Sequence, residues 1–386
     1  MSIEYNADFD TYSNETKVFV RWLDATVNNV ADAKQYPEFI ISIIGIFLNI
    51  FHLIILTRKS MRSTSINVLM IGIAISDLFV MIYGTYLAVI QLMNSDLECL
   101  APSSYTRVFI EFFAFAMRDS FRRVSAWLGV LMAAIRFLII KNPLNPRIDF
   151  LSRPSFSWKI VLLLFVSSSL LSSSYWTQVR ILPLMNWEPA EHCTGFPANF
   201  TAVQYAVMTV FVPTAVSDTF TSFLFYKTFW FTEGILKIIP AILLPILAFL
   251  LIRELKKAAK ARRKLTSSQN SETPQKDHTT NLVILMTVSF VITELPLGVF
   301  HVADTWLEAY SQNTLATIIT NMTFLWTFFV ALNATTHCFI CMTMSSQYRN
   351  CVKTIFCKNG KLKPVIVSSK ASVSSVTSVR NVIVEI

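Results

Sequence analysis

The chain is poor in charge. Only 15% of its 386 residues are Asp, Glu, Lys or Arg, where a soluble protein carries about 25%. So few charges cannot cover a water-facing globule of this size. Metal-ligand clusters are missing too. The five histidines (His52, His192, His278, His301 and His337) are scattered and form no His-x-x-x-His pair, which argues against a metal-dependent hydrolase. Residues 1–36 are polar, so no cleavable signal peptide is expected. The net charge of +9 is spread over short loops rather than gathered on one soluble face, so nucleic acid is not an expected partner.

What the chain has instead is apolar length. Hydrophobic residues make up 53%, with 31 Phe, and the mean hydropathy is +0.51. Seven stretches stand out: Glu38–Thr57, Ser65–Met93, Tyr105–Ile140, Ser157–Trp176, Glu233–Ile252, Thr279–His301 and Leu315–Met342. Each is long enough to cross the ~30 Å hydrocarbon core, which takes about 20 helical residues. The expected fold is an all-α membrane protein, a seven-transmembrane helix bundle with a short amphipathic eighth helix. The expected organisation is a segment 1–37 outside, the bundle 38–342, an amphipathic juxtamembrane helix 343–358 and a Ser-rich cytoplasmic tail 359–386. That tail is expected to be disordered. It is either a plain solvated tail or a phosphorylation cluster read by a receptor kinase and arrestin.

Lys and Arg near the helix ends set the orientation. Arg58, Lys59 and Arg62 fill the first loop. Lys141, Arg147, Arg153 and Lys159 fill the second. Arg253, Lys256, Lys257, Lys260, Arg262, Arg263, Lys264 and Lys276 fill the third. The N-terminal segment is acidic on balance. An extracellular N-terminus and a cytoplasmic C-terminus follow, in a multi-pass plasma-membrane protein. The glycosylation sequons at Asn14 and Asn199 fall on the expected outside, whereas those at Asn321 and Asn333 lie within the seventh stretch. Of six cysteines, Cys99 and Cys193 alone fall in outer loops, where oxidation is allowed, and are expected to form a disulfide. Cys351 and Cys357 follow the seventh stretch in a basic amphipathic segment. They are either palmitoylated or free thiols. The long loop from Gln178 to Thr232, rich in aromatic and β-branched residues, is expected to form a strand pair over the pocket mouth. The acids Glu188, Glu191, Asp218, Asp304 and Glu308 either favour a cationic ligand or form a solvated face.

Several motifs sit on this frame. Arg136 ends the third stretch, with Pro143-Leu144 seven and eight residues on. Gly45 and Asn49 form Gly-x-x-x-Asn in the first, Ser76-Asp77-Leu78 lies in the second, Trp158 opens the fourth, Pro240 and Pro245 lie in the fifth, and Phe290 and Pro296 in the sixth. Together they resemble rhodopsin-like G-protein-coupled receptors over about residues 38–358. Some positions depart from that pattern. Ala134-Ile135 precede the Arg without an acid. The sixth helix reads Thr293-Glu294-Leu295-Pro296 where Cys-Trp-x-Pro is usual, and the seventh reads Asn333-Ala334-Thr335-Thr336-His337 where Asn-Pro-x-x-Tyr is usual. The departures are similar to those of the nematode serpentine receptor class W chemoreceptors. So are the run Arg118–Met132, Glu294-Leu295-Pro296-Leu297-Gly298 and Met344-Ser345-Ser346-Gln347-Tyr348-Arg349. That group resembles FMRFamide-type neuropeptide receptors, which implies a peptide-like ligand and a heterotrimeric G protein as partner.

The resemblance also implies roles. Glu111, Arg118, Asp119, Arg122 and Glu294 are candidates for ligand binding and switching, since charges inside a bundle are costly and usually paired. Asp119 and Arg123, four apart, share a helix face. Arg122 and Glu294 fall at facing positions, and an ion pair between them is expected, either as a switch or as a static brace. Arg136, Pro143 and Leu144 are G-protein coupling candidates. Asp77, Ser125 and Asn333 match positions that hold a sodium ion in related receptors. The alternative here is a hydrogen-bonded network without an ion, with Arg122 supplying the positive charge. No other cofactor is expected. The main rival function is a seven-helix transporter, disfavoured because no internal repeat is apparent.

Overall fold

The computed structural model describes residues 9–93, 99–142, 145–176, 179–190, 192–197, 199–209, 219–266, 278–309, 313–344 and 346–356. Nine α-helices and two strands lie in that set: α1 (Asn14–Ala33), α2 (Gln35–Leu56), α3 (Ser65–Met93), α4 (Tyr105–Lys141), α5 (Pro154–Trp176), β1 (Val179–Trp187), β2 (Ala202–Thr209), α6 (Thr219–Thr266), α7 (His278–Ala309), α8 (Asn313–Met344) and α9 (Ser346–Phe356). Seven of them, α2 to α8 without α1 and α9, are long and apolar enough to cross a membrane. They match the seven stretches read from the sequence. Their outward faces are apolar, as on Ile40, Ile44 and Phe47 of α2 or Leu162, Leu163 and Leu170 of α5. That is the pattern expected where lipid, not water, is the solvent.

Local chemistry sets the element ends. Ser104 caps α4, its hydroxyl accepting from the Arg107 amide. Pro154 starts α5, where a missing N–H costs nothing. Pro296 lies inside α7 and removes the donor that would bond the carbonyl four residues back. That carbonyl, Ile292 O, accepts from Trp326 Nε1 of α8 at 3.0 Å. The bend in α7 is therefore stitched to its neighbour. Two glycines bring α6 and α7 together. A Cβ on Gly234 would sit 2.9 Å from Gly298 O, and one on Gly298 would sit 2.9 Å from Gly234 O, so neither position has room for a side chain.

The expected strand pair is present. β1 and β2 pair antiparallel, with a register shift between Pro183 and Met185, where the proline cannot donate to the ladder. The Cys99–Cys193 disulfide forms, with Cα atoms 5.3 Å apart. It ties the loop joining β1 to β2 to the chain just before α4. Tyr205 of β2 meets Tyr105 of α4 edge-on.

Two features differ from the sequence reading. The fifth spanning helix begins at Thr219 rather than Glu233. Phe220, Phe223, Phe225 and Tyr226 thus lie on helix rather than in a strand-forming loop. Lys227, Glu233 and Lys237 lower the hydropathy there and disguise the helix, yet all three are buried. Second, α1 lies within the segment 1–37. Its Val20 and Val27, with Phe9, pack on Ile318 of α8.

At the other end, α9 is docked by a tyrosine. Tyr348 is fully buried, and its hydroxyl lies 2.9 Å from His52 Nδ1 of α2 and 3.6 Å from Cys338 Sγ of α8. Burial pushes this phenol above its ordinary range. Gln347 Nε2 donates to Ser60 O in the α2–α3 loop at 2.8 Å.

Candidate functional site: a buried charge network above a cavity

Four charges crowd one turn and a half of α4: Arg118, Asp119, Arg122 and Arg123. Successive residues on a helix point about 100° apart, so each meets different neighbours. Arg118 binds its own neighbour, Nη2 to Asp119 Oδ1 at 3.0 Å, and its guanidinium lies over the Phe115 and Tyr83 rings. Arg123 turns to α5 and α6. It pairs with Glu233 of α6, donates to Ser172 Oγ, and donates from Nε to Ser168 Oγ at 3.1 Å and from Nη2 to Ser168 O at 2.9 Å. Glu233 also pairs with Lys237 one turn on. Ser120 closes the network by donating to Ser172 Oγ at 2.7 Å. The side chains of Arg123 and Glu233 are 3% and 1% exposed, so water does not screen this triad.

Arg122 behaves differently. It is buried, and its Nε and Nη2 make no hydrogen bond. The expected ion pair with Glu294 is not formed. Both residues are buried and line one cavity, but among the described residues no salt bridge joins them. The arginine of α4 that pairs with a carboxylate on another helix, among the described residues, is Arg123, with Glu233. The face shared by Asp119 and Arg123 does not join them either, because Arg118 takes Asp119. Glu111 stands apart from all of these near the other end of α4. It accepts from Tyr86 OH at 2.6 Å and from Arg107 Nε at 2.9 Å. At 1.5 Å rise per residue it is about 16 Å along the helix from Arg122.

The cavity of about 290 Å³ opens between Arg122 and the α9 end. Arg122, Glu294, Asp77, Ser125 and Asn333 line its deep part, and Arg136, Leu251, Gln347 and Tyr348 line it toward α9. Arg136 is half-buried, and no carboxylate among the described residues pairs with it. Cys341 lines the same cavity. Pro143 and Leu144 lie outside the described residues.

The sodium-site candidates come together but are committed to protein partners. Ser125 Oγ donates to Asp77 Oδ1 at 2.8 Å, and His337 Nδ1 lies 2.7 Å from Asp77 Oδ2. Asn333 Oδ1 accepts from Ser289 Oγ of α7 at 2.9 Å. A small hard cation needs several free oxygens. Here both carboxylate oxygens face side-chain donors and a guanidinium lines the same cavity, so these residues do not fit a resident sodium ion.

The remaining candidates are placed simply. Asn14 opens α1 and is exposed. Asn199 is exposed beyond β1 with φ 62°, a left-handed conformation that Asn tolerates. Cys351 is a half-buried free thiol beside the Ile55, Leu56 and Met61 cluster. Cys357 and the Ser-rich tail lie outside the described residues. Sequence reasoning missed Glu233, Lys237 and the partners His337–Asp77 and Tyr348–His52. The signal for the first two was an acid and a base four apart inside an apolar run.

Residues 36–359 match the family described as "Serpentine type 7TM GPCR chemoreceptor Srw". Sex peptide receptor-related protein 2 of Caenorhabditis elegans is 25% identical over 252 residues, covering 61% of this chain and 52% of the relative. The chain thus spans about half the length of that relative. Rhodopsin of Petromyzon marinus is 24% identical over 353 residues, covering 88% of this chain and 86% of the relative.

Proposed function

The chain belongs to the Srw family of serpentine seven-helix chemoreceptors, and from that membership we propose that it is a plasma-membrane receptor that binds an extracellular peptide and activates a heterotrimeric G protein. The observation that carries the second half is the cavity. It runs from the α9 end, where among the described residues no acid holds Arg136, to the polar floor of Arg122, Glu294 and Asp77. A cleft there suits insertion of a partner segment, and Arg136 offers an always-charged donor to backbone carbonyls. The basic loop Arg58–Arg62 and the basic run Arg253–Lys264, which lies on the last turns of α6 rather than in a loop, support placing this end in the cytoplasm. Pro143 and Leu144 are assigned to the same coupling role from their sequence pattern beside Arg136. A peptide is preferred as ligand because a relative is named for a sex peptide receptor. Retinal is not carried over from the rhodopsin relative, because Asn313–Met344 holds no lysine for a Schiff base.

Ligand entry is on the hairpin side, near Glu111, Arg118 and Asp119. Arg122 and Glu294 act below it as a switch whose two groups pair in one state and separate in another. Asn14 and Asn199 carry glycans, Cys351 and Cys357 take palmitate, and the tail engages receptor kinase and arrestin. The test is nucleotide exchange on purified G protein by the receptor in nanodiscs. Without an acid beside Arg136, ligand-free exchange is expected above the receptor-free rate. Arg136→Ala should abolish it, and Ile135→Glu should reduce it. Exchange that survives Arg136→Ala at equal receptor level refutes the coupling role. Solute uptake with no exchange favours a transporter.

A further inference from the structure

Helix α1 has two faces, and α8 covers only one. Val20 and Val27 face Ile318 and are nearly inaccessible. Asn321 Nδ2 donates to Asn28 Oδ1 at 3.3 Å, and Lys34 at the end of α1 binds Glu38 and Thr327. These contacts fix α1 along the disulfide end of α8. The opposite face is open and mostly apolar, with Thr26 and Asn29 its polar members. Val18, Phe19 and Trp22 are 67%, 56% and 60% exposed, and Val30 is also exposed. With the exposed Thr26 between them they follow one helical stripe (18, 19, 22, 26, 30). No charged residue falls on it between Val18 and Val30. Glu15 stands on the same line, one turn before Val18, and the other described charges of α1 lie elsewhere. Lys17 and Arg21 stand over the Phe9 ring, and Asp24 is buried, accepting from Asn28.

What covers this stripe follows from its continuation. Only Lys34 separates α1 from α2. On α2 the face turned away from α8 carries Tyr36, Ile40, Ile44 and Phe47, all exposed, on a helix that spans the membrane. The face turned toward α8 carries Asn49, which donates to Ala334 O. In both helices, then, the exposed apolar face lies opposite α8. The lipid-facing surface of α2 continues onto α1 without a break in polarity. Trp22 and Tyr36 are the side chains that favour the interface between headgroups and hydrocarbon.

We propose that α1 is a membrane-interface helix. Val18, Phe19, Trp22 and Val30 sit in the bilayer leaflet at the disulfide end, so that lipid on one side and α8 on the other hold this helix in place. The segment before the first span is therefore part of the membrane-embedded body rather than a free extracellular arm.

Site-directed spin labelling of the full chain in nanodiscs tests this. With Cys351→Ser and Cys357→Ser as background, a nitroxide is attached in turn at Phe19→Cys, Trp22→Cys and Val30→Cys, and at Lys17→Cys and Arg21→Cys as controls. Collision with oxygen, which concentrates in lipid, is compared with collision with aqueous nickel-EDTA diacetate. The oxygen-to-nickel ratio is expected to be several-fold higher at 19, 22 and 30 than at 17 and 21. A nickel-accessible Trp22 site puts the stripe in water and overturns the proposal. Exclusion of both reagents means that protein, such as a second copy, covers it, and also overturns the proposal. Label-free confirmation comes from brominated lipid. It should quench the native receptor more than Trp22→Phe, and equal quenching counts against the assignment.

Discussion

Neutralising Glu233 should destabilise this bundle more than any neutral change to the same network. Glu233 faces two cations, Arg123 and Lys237, all three nearly inaccessible. Glu233→Gln preserves volume and leaves a guanidinium and an ammonium with no anion between them. Removing one partner of a buried pair costs about 3–5 kcal/mol. Neutral hydrogen bonds between membrane helices average about 0.6 kcal/mol, so Ser172→Ala should lie nearer that scale although Ser172 touches both Arg123 and Ser120. The charge effect therefore dominates. Removing the whole triad, as Arg123→Met with Glu233→Leu and Lys237→Met, should recover most of the loss, because apolar replacement of a complete buried network is often neutral. The assay is thermal unfolding in nanodiscs, read with a thiol-reactive fluorophore on Cys338 and Cys341, which are buried in the folded state. If Glu233→Gln melts like Ser172→Ala, or the triple variant melts below the single, the triad does not brace the bundle as argued.

Arg122→Met should leave the melting temperature unchanged or raise it, because it removes a buried guanidinium with two unpartnered nitrogens, each worth about 1–3 kcal/mol of lost solvation. A loss as large as that of Glu233→Gln would mean Arg122 is paired in the receptor. Cys99→Ser and Cys193→Ser should each lower surface expression, with the double variant no worse than either single; additive losses on flow cytometry would show the two do not pair. Gly298→Ala should cost about 1–3 kcal/mol, since its Cβ meets the Gly234 carbonyl, and an unchanged melt would refute that contact. Tyr348→Phe should leave the buried His52 without its hydroxyl partner and lower the melt. With its phenol pKa raised, Tyr348 stabilises fully below its ordinary value of about 10 and loses that contribution only above it. A parent melt that falls well below that pH and is flat in Tyr348→Phe would contradict this.

The seven spans were legible because lipid imposes one rule, length of apolar run, on every helix. The disulfide was legible because only two cysteines fell where oxidation is allowed. The exceptions share a cause. Charges inside α6 made its first turns read as loop, and the mixed polarity of α1 made it read as solvated segment. Hydropathy averages over a window, whereas a helix distributes its residues over faces. In α1 most of the polar residues sit on the flanks and against the bundle, leaving a mainly apolar stripe that no average reveals.

The charged site shows the same limit at finer scale. Composition identifies Arg122 and Arg123 as buried cations needing partners, and Glu294 as the carboxylate at a matching depth. What decides the pairing is rotation. Two consecutive residues on α4 differ by about 100°, which aims Arg123 at α5 and α6 and Arg122 into the cavity. The competing carboxylate, Glu233, was invisible as a partner while α6 was thought to begin with it. Once Glu233 is known to lie within α6, held by Lys237 one turn away, Arg123 has the better anion and Arg122 is left with none. The same reasoning accounts for Asp77. His337 and Ser125 occupy its two oxygens, so Asp77 is satisfied by side-chain donors. The one buried cation lining that floor without a partner on its Nε and Nη2 is Arg122. A conformational change that brings Glu294 to Arg122 would satisfy both at once, so the unpaired arrangement is the one from which such a change has most to gain.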